Sequence, residues 1–167
     1  MSTASIAFRS LYTYTAQDTG KRLPVSVLAS GTGHVHGELI ISLGGRPLPQ
    51  LGYTGADDVC LNSWLQELLA AEDALSATDE ATYVFDEGEQ GQPAFEFTRE
   101  GELLFASVIA SPISGARADP SYQRVCCLWA DFAAASARFK DELRRVVEEE
   151  AGPYGKVWWL ENARSAA

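Results

Sequence analysis

The chain has 167 residues, 46% of them apolar and 10% aromatic, with 13 Lys/Arg against 23 Asp/Glu and a formal charge of −10. This is enough apolar material for one packed core and too little for two, and it lies far from the composition of disordered chains. The acidic balance argues against nucleic acid and anionic membrane surfaces as direct partners, because both are bound through clustered Lys/Arg.

Ile6, Phe8 and residues 11–15 form an aromatic, β-branched opening that predicts a strand, closed by a polar turn over 17–20. Pro24 to Ala29 resumes β character and completes a hairpin. A turn at Ser30-Gly31-Thr32-Gly33 leads into a third strand, His34 to Leu43, with a bulge or a close backbone contact at Gly37. From Asp57 the apolar period becomes helical: Leu61, Trp64, Leu65, Leu68, Leu69 and Leu75 predict a helix to about Ala74, capped by Asp57 or Asp58.

Tyr83 to Phe85, Ala94 to Thr98 and Leu103 to Ala110 read as a three-strand meander, joined by an acidic loop over 86–93 and a tight turn at Arg99-Glu100-Gly101-Glu102. After a loop from Pro112 to Pro120, the residues Val125, Leu128, Trp129, Phe132, Phe139, Leu143, Val146 and Val147 trace one stripe of a helix from Ser121 to Ala151. Gly152-Pro153 stops it. Lys156 to Leu160 reads as a final strand with Trp158 and Trp159 on opposite faces. The expectation is a single α+β domain over 1–161, with a mostly antiparallel sheet of about five to seven strands and two helices on one face. Residues 162–167 read as a flexible tail.

Candidate chemistry is sparse. His34 and His36, two apart on a strand, point to one side and have a metal-compatible spacing, but a zinc site needs a third ligand from Cys60 or a carboxylate. They read as a solvated strand face, and no metal is assigned. The acidic loop lacks the EF-hand spacing, the turn at 30–33 lacks the Lys-Ser/Thr of a phosphate loop, and no G-x-S-x-G elbow occurs. A Cys/His dyad is disfavoured because Cys60 and Cys127 sit in apolar surroundings. No catalytic residue and no cofactor is therefore assigned, and the chain reads as a non-enzyme. Three cysteines, two of them adjacent, and an N-terminus without a signal-peptide pattern fit a reduced, cytoplasmic setting.

The charge is strongly localised. Between Asp57 and Leu103 lie thirteen acids and one base, Arg99, whereas the remaining residues carry twelve bases and ten acids. After caps and turns are set aside, Glu67, Glu72, Asp73, Asp79, Glu80, Asp86, Glu87, Glu89 and Glu96 remain as a candidate partner-binding surface. Like charges held together repel. A basic partner would relieve that repulsion and be steered toward it, by 10 to 10³-fold as an order of magnitude. The plain alternative is a solvated surface that maintains solubility.

The hairpin Phe95 to Glu102, the helix containing Trp129-Ala130-Asp131-Phe132 and Arg138-Phe139, and the acidic middle together resemble the layout of small cytosolic immunity proteins of bacterial toxin systems. The resemblance implies a single α+β domain that occludes the cationic site of a basic toxin. Two other readings stand beside it. One is a small-ligand-binding or enzymatic domain with a pocket between sheet and helices that includes His34, His36 or Cys60. The other is a self-associating protein that uses an aromatic near Trp158.

Overall fold

In the computed structural model, which describes residues 3–15, 18–29, 33–52, 55–88 and 91–164, the strand segments divide between two antiparallel sheets. The first runs in the order β2 (Asp18–Leu23), β1 (Ala4–Thr15), β3 (Val35–Leu43), β4 (Arg46–Pro47), and β5 (Val59–Cys60) also pairs with β3. The second is a meander of β6 (Glu80–Phe85), β7 (Ala94–Glu100), β8 (Leu103–Ile109) and β9 (Val125–Leu128). Helices α1 (Leu61–Ser76), α2 (Trp129–Ala151) and α3 (Pro153–Asn162) complete the α+β architecture expected from the sequence. Among the described residues, no helix is long and apolar enough to cross a membrane.

Period-2 patterning sets which face of each strand is buried. Along β3, Val35, Leu39, Ile41 and Leu43 are buried while His36, Glu38, Ile40 and Ser42 alternate outward. In the second sheet Phe85, Phe95, Phe97, Leu104, Ala106, Val125 and Cys127 point inward. Both sheets and all three helices contribute to one apolar cluster. Trp64 of α1 meets Phe85 edge-on at 4.9 Å, and Phe8 of β1 meets Phe139 of α2 at 5.8 Å. A fully buried side chain of this kind, such as Trp64 or Phe139, contributes roughly 1.5–3 kcal/mol through the area it removes from water.

Four segments differ from the sequence expectation. Residues 24–29 are not a strand: Pro24 introduces a 3-10 turn, Val25–Val27, and β1 is paired instead by Asp18–Leu23, part of which reads as a turn. The first helix starts at Leu61 rather than Asp57, because Val59–Cys60 is held in the ladder opposite β3. Asp57 and Asp58 therefore do not cap it. Residues 125–128 form a strand, so the long helix starts at Trp129 rather than at Ser121. Arg124 has φ +48°, and Val125 and Cys127 face the core while Cys126 and Leu128 face out, so that Leu128 leaves the stripe a helix would give it.

The C-terminal segment is a helix where a strand is expected. Gly152, at φ +56°, ends α2, and Pro153 then starts α3 with its φ already suited to a first helical turn. Gly155 lets α3 lie on α2, since a Cβ there would strike the Val147 carbonyl oxygen. Trp158 is consequently fully buried, whereas Trp159 is only partly so. The turn at Gly101 (φ +63°) and the meander are as expected. Gln17, Ser30 to Thr32, Glu89 and residues 165–167, on which other sequence readings rest, lie outside the described residues.

Candidate functional site

The acidic segment does not form one uniform surface. Glu67 accepts a hydrogen bond from Tyr83 Oη at 2.5 Å, and burial together with this carboxylate raises the tyrosine pKa. Glu72 is ion-paired with Lys140 at 2.5 Å in a half-buried setting that joins α1 to α2. Asp86 accepts from Ser111 Oγ and from the Gly88 amide, organising its own loop. Asp79 pairs with Arg99, which also donates to the carbonyls of Leu75 and Gly101 and so ties the end of α1 to the meander. Asp73 and Glu80 are exposed, while Glu87 and Glu96 are half-buried. Glu89 lies outside the described residues.

The part of this segment that does face outward together is the outer side of the second sheet. Register places Glu80, Glu100, Leu103 and Leu128 in one row across all four strands, and Thr82, Thr98, Phe105 and Cys126 in the next. Val84 and Glu96 begin a third row. Val84 and Leu128 are each 45% exposed and Leu103 39%, a large fraction for apolar side chains on one sheet face. Arg124 is bidentate to Glu100 at 2.9 and 3.1 Å, and its guanidinium lies 4.0 Å over the Phe105 ring. The face is thus acidic, partly apolar and carries one anchored cation.

A second, denser arrangement lies on the first sheet, and a bulge in β1 brings two tyrosines to it. Arg9 pairs with Glu38 and Tyr12 with His36, so Ser10 and Leu11 oppose Gly37 alone. Ser10 adopts φ +53°, and a Cβ on Gly37 would lie 2.9 Å from the Arg9 carbonyl oxygen, which is the close backbone contact expected at this glycine. The extra residue inverts the phase of β1. Ile6 and Phe8 share the buried face of β3, but Tyr12 and Tyr14 fall on the outer face with His36.

Cys60 is the direct cross-strand partner of His36, so its side chain emerges on the same face. His34, two residues before His36, completes a triangle in which one ligand-capable atom from each residue lies within 4.8 Å of the others. The His34 Nδ1 is 3.9 Å from Cys60 Sγ, and the two imidazoles stack at 6.2 Å between centroids. Asp58 sits behind them, 3.1 Å from His36 Nδ1, and accepts from Tyr12 Oη at 2.5 Å. Burial and the Asp58 carboxylate push the Tyr12 pKa well above its ordinary value.

Asn62, near the start of α1, fixes the backbone on both sides of His34: its Oδ1 accepts from the Val35 amide and its Nδ2 donates to the Gly33 carbonyl. Trp158 Nε1 donates to that same carbonyl at 2.8 Å, and Asn162 Oδ1 accepts from Asn62. Burial pushes the Cys60 thiol pKa up, while the amides of Asn62 and Ser63 act in the opposite sense. A cavity of about 110 Å³ adjoins the cluster, lined among others by His36, Asp58, Cys60, Glu87 and Gln92. Gln92 is buried, and its Nε2 has no hydrogen-bond partner among the described residues.

No family model, curated protein or solved structure matches the chain, so its function is argued from its own residues. Sequence reasoning brings out the two histidines and Cys60 as possible ligands, then treats the strand face as solvated. What it misses is Asp58, Tyr12 and Gln92. The first reads as a cap, the second belongs to the opposite face until the bulge is counted, and the third lies in a loop without a motif.

Proposed function

We propose that this chain is a non-enzymatic binding protein that docks a basic protein partner, with immunity against a secreted toxin as the sharpest form of that role. The observation that carries the reading is the outer face of the second sheet. There Glu80, Glu96 and Glu100 stand among the exposed Val84, Leu103 and Leu128. Carboxylates around exposed apolar side chains supply both steering and buried contact area, the combination found where a charged rim surrounds an apolar centre. Glu67, Glu72 and Asp86 are used within the fold, which moves the docking surface from the whole acidic segment onto this sheet face. Occlusion of a cationic substrate site by these carboxylates would be the mode of inhibition.

Affinity capture from the source cells at low and high salt, followed by association kinetics with the purified partner, tests this. The expected partner is basic, and its on-rate falls as salt rises. Glu80→Lys combined with Glu96→Lys slows association by at least 10-fold. A partner whose on-rate ignores both salt and charge reversal refutes the proposal.

A further inference from the structure

We propose that His34, His36 and Cys60 bind one Zn²⁺ ion, with Asp58 orienting His36 and water completing the coordination. The ligand set comes from backbone geometry: two side chains at i and i+2 on one strand and a third directly across the ladder on the next. Tetrahedral zinc, with Zn–S about 2.3 Å and Zn–N about 2.0 Å, places its ligand atoms roughly 3.3–3.6 Å apart. The 3.9 Å between His34 Nδ1 and Cys60 Sγ is already close to that, and small side-chain rotations close the rest. Two imidazoles and a thiol favour zinc over magnesium and calcium, which take oxygen ligands.

The surroundings match what a bound zinc requires. Asp58 at His36 Nδ1 holds the tautomer that leaves Nε2 for the metal, the carboxylate–histidine arrangement that supports many zinc ligands. Asp58 is in turn fixed by Tyr12, and His34 by the Asn62 contacts on either side of it. Cys60 stands at the N-terminus of α1 and directly across the ladder from His36, so the helix start and the strand pairing both fix its backbone. Three protein ligands leave one tetrahedral position. The adjoining cavity of about 110 Å³ is well above the ~10–15 Å³ that a water needs. Gln92 lines it with a buried Nε2–H group that has no partner among the described residues, a donor suited to the oxygen of a zinc-bound water.

The test uses the full chain carrying Cys126→Ser, stripped with a chelator and titrated with Zn²⁺ or Co²⁺ alone. One equivalent of each is expected to bind, Co²⁺ with thiolate charge-transfer absorption and tetrahedral visible bands, and Zn²⁺ with protection of Cys60 from iodoacetamide. Cys60→Ser should abolish the charge-transfer band, and His34→Ala should weaken binding by at least 10-fold. Asp58→Asn should weaken it by about 10–100-fold while keeping the band. His34 is exposed, so its variant stays informative if the others unfold, and circular dichroism checks each one. Binding below one equivalent, binding unchanged in His34→Ala, or alkylation of Cys60 at the same rate with and without Zn²⁺ overturns the proposal.

Discussion

The outer faces of the two sheets handle ionisable residues in opposite ways. On the second sheet Glu80 faces solvent, Glu96 is half-buried and Glu100 is engaged by Arg124, and the three do not converge on a common group. On the first sheet the acids are few, yet Asp58, His36, His34, Cys60 and Tyr12 contact one another and are fixed by α1 and α3. Charge density along a sequence therefore locates a surface, whereas convergence in space locates a site. A stretch of net charge near −12 resolves only in part into ion pairs, and two histidines with little local charge become the centre of a network.

The largest expected effect comes from undermining the network from behind. Trp158→Ala removes a fully buried ring and the donor to Gly33, and should cost about 3–5 kcal/mol in urea unfolding. It should also loosen the backbone around His34 while leaving the meander's register intact, which amide chemical shifts would report. Equal disturbance of both sheets would mean that the His34 network and the meander are one cooperative unit.

A smaller effect asks whether Glu72 belongs to the fold or to the open acidic face. Lys140→Ala strands the Glu72 carboxylate, whose Oε1 is buried without a partner among the described residues, and should destabilise by about 1–3 kcal/mol. A change within the ~0.5 kcal/mol typical of surface sites would return Glu72 to the docking surface.

The smallest effect concerns acid. Asp131, bonded to the Thr3 amide and hydroxyl, Asp119, bonded to Ser121, and Glu142, bonded to Arg145, all have carboxyl pKa values below the usual range. All three lie outside the acid-rich segment. A depressed folded-state pKa gives stability that is present above the unfolded value and lost as pH falls through the folded one. Thermal melts should therefore fall in strongly acidic buffer, and Asp131→Asn should flatten part of that fall by lowering the neutral-pH melting temperature. An identical acid profile in the variant would remove Asp131 from the account.

Much of the fold was legible because burial follows period. The alternation in β3, the spacing of Leu61, Trp64, Leu65 and Leu68, and the Glu-Gly turn at 100–101 each have one reading. The misreadings arose where two periods fit the same residues. Val125 and Leu128 satisfy a helix at i, i+3 and a strand edge equally, and only the backbone break at Arg124 decides. Val157 to Leu160 is apolar enough for a strand, but Pro153 commits the chain to a helix. The His34, His36 and Cys60 ligand types were visible, whereas their meeting was not. It depends on a β3–β5 register of only two residue pairs, and the arrival of Tyr12 on the same face depends on the bulge at Ser10 in β1.

The Gly33 carbonyl receives both Asn62 and Trp158, and Asn162 bonds back to Asn62 across 100 positions of sequence. Three distant stretches of chain, at the start of β3, the start of α1 and the whole of α3, are thereby joined through a single peptide group. Such a junction opens all at once or not at all. In native-state hydrogen exchange the amides of α3 and of Val35 should share one opening free energy, so that the last helix of the described chain reports directly on the order of a strand more than a hundred residues before it.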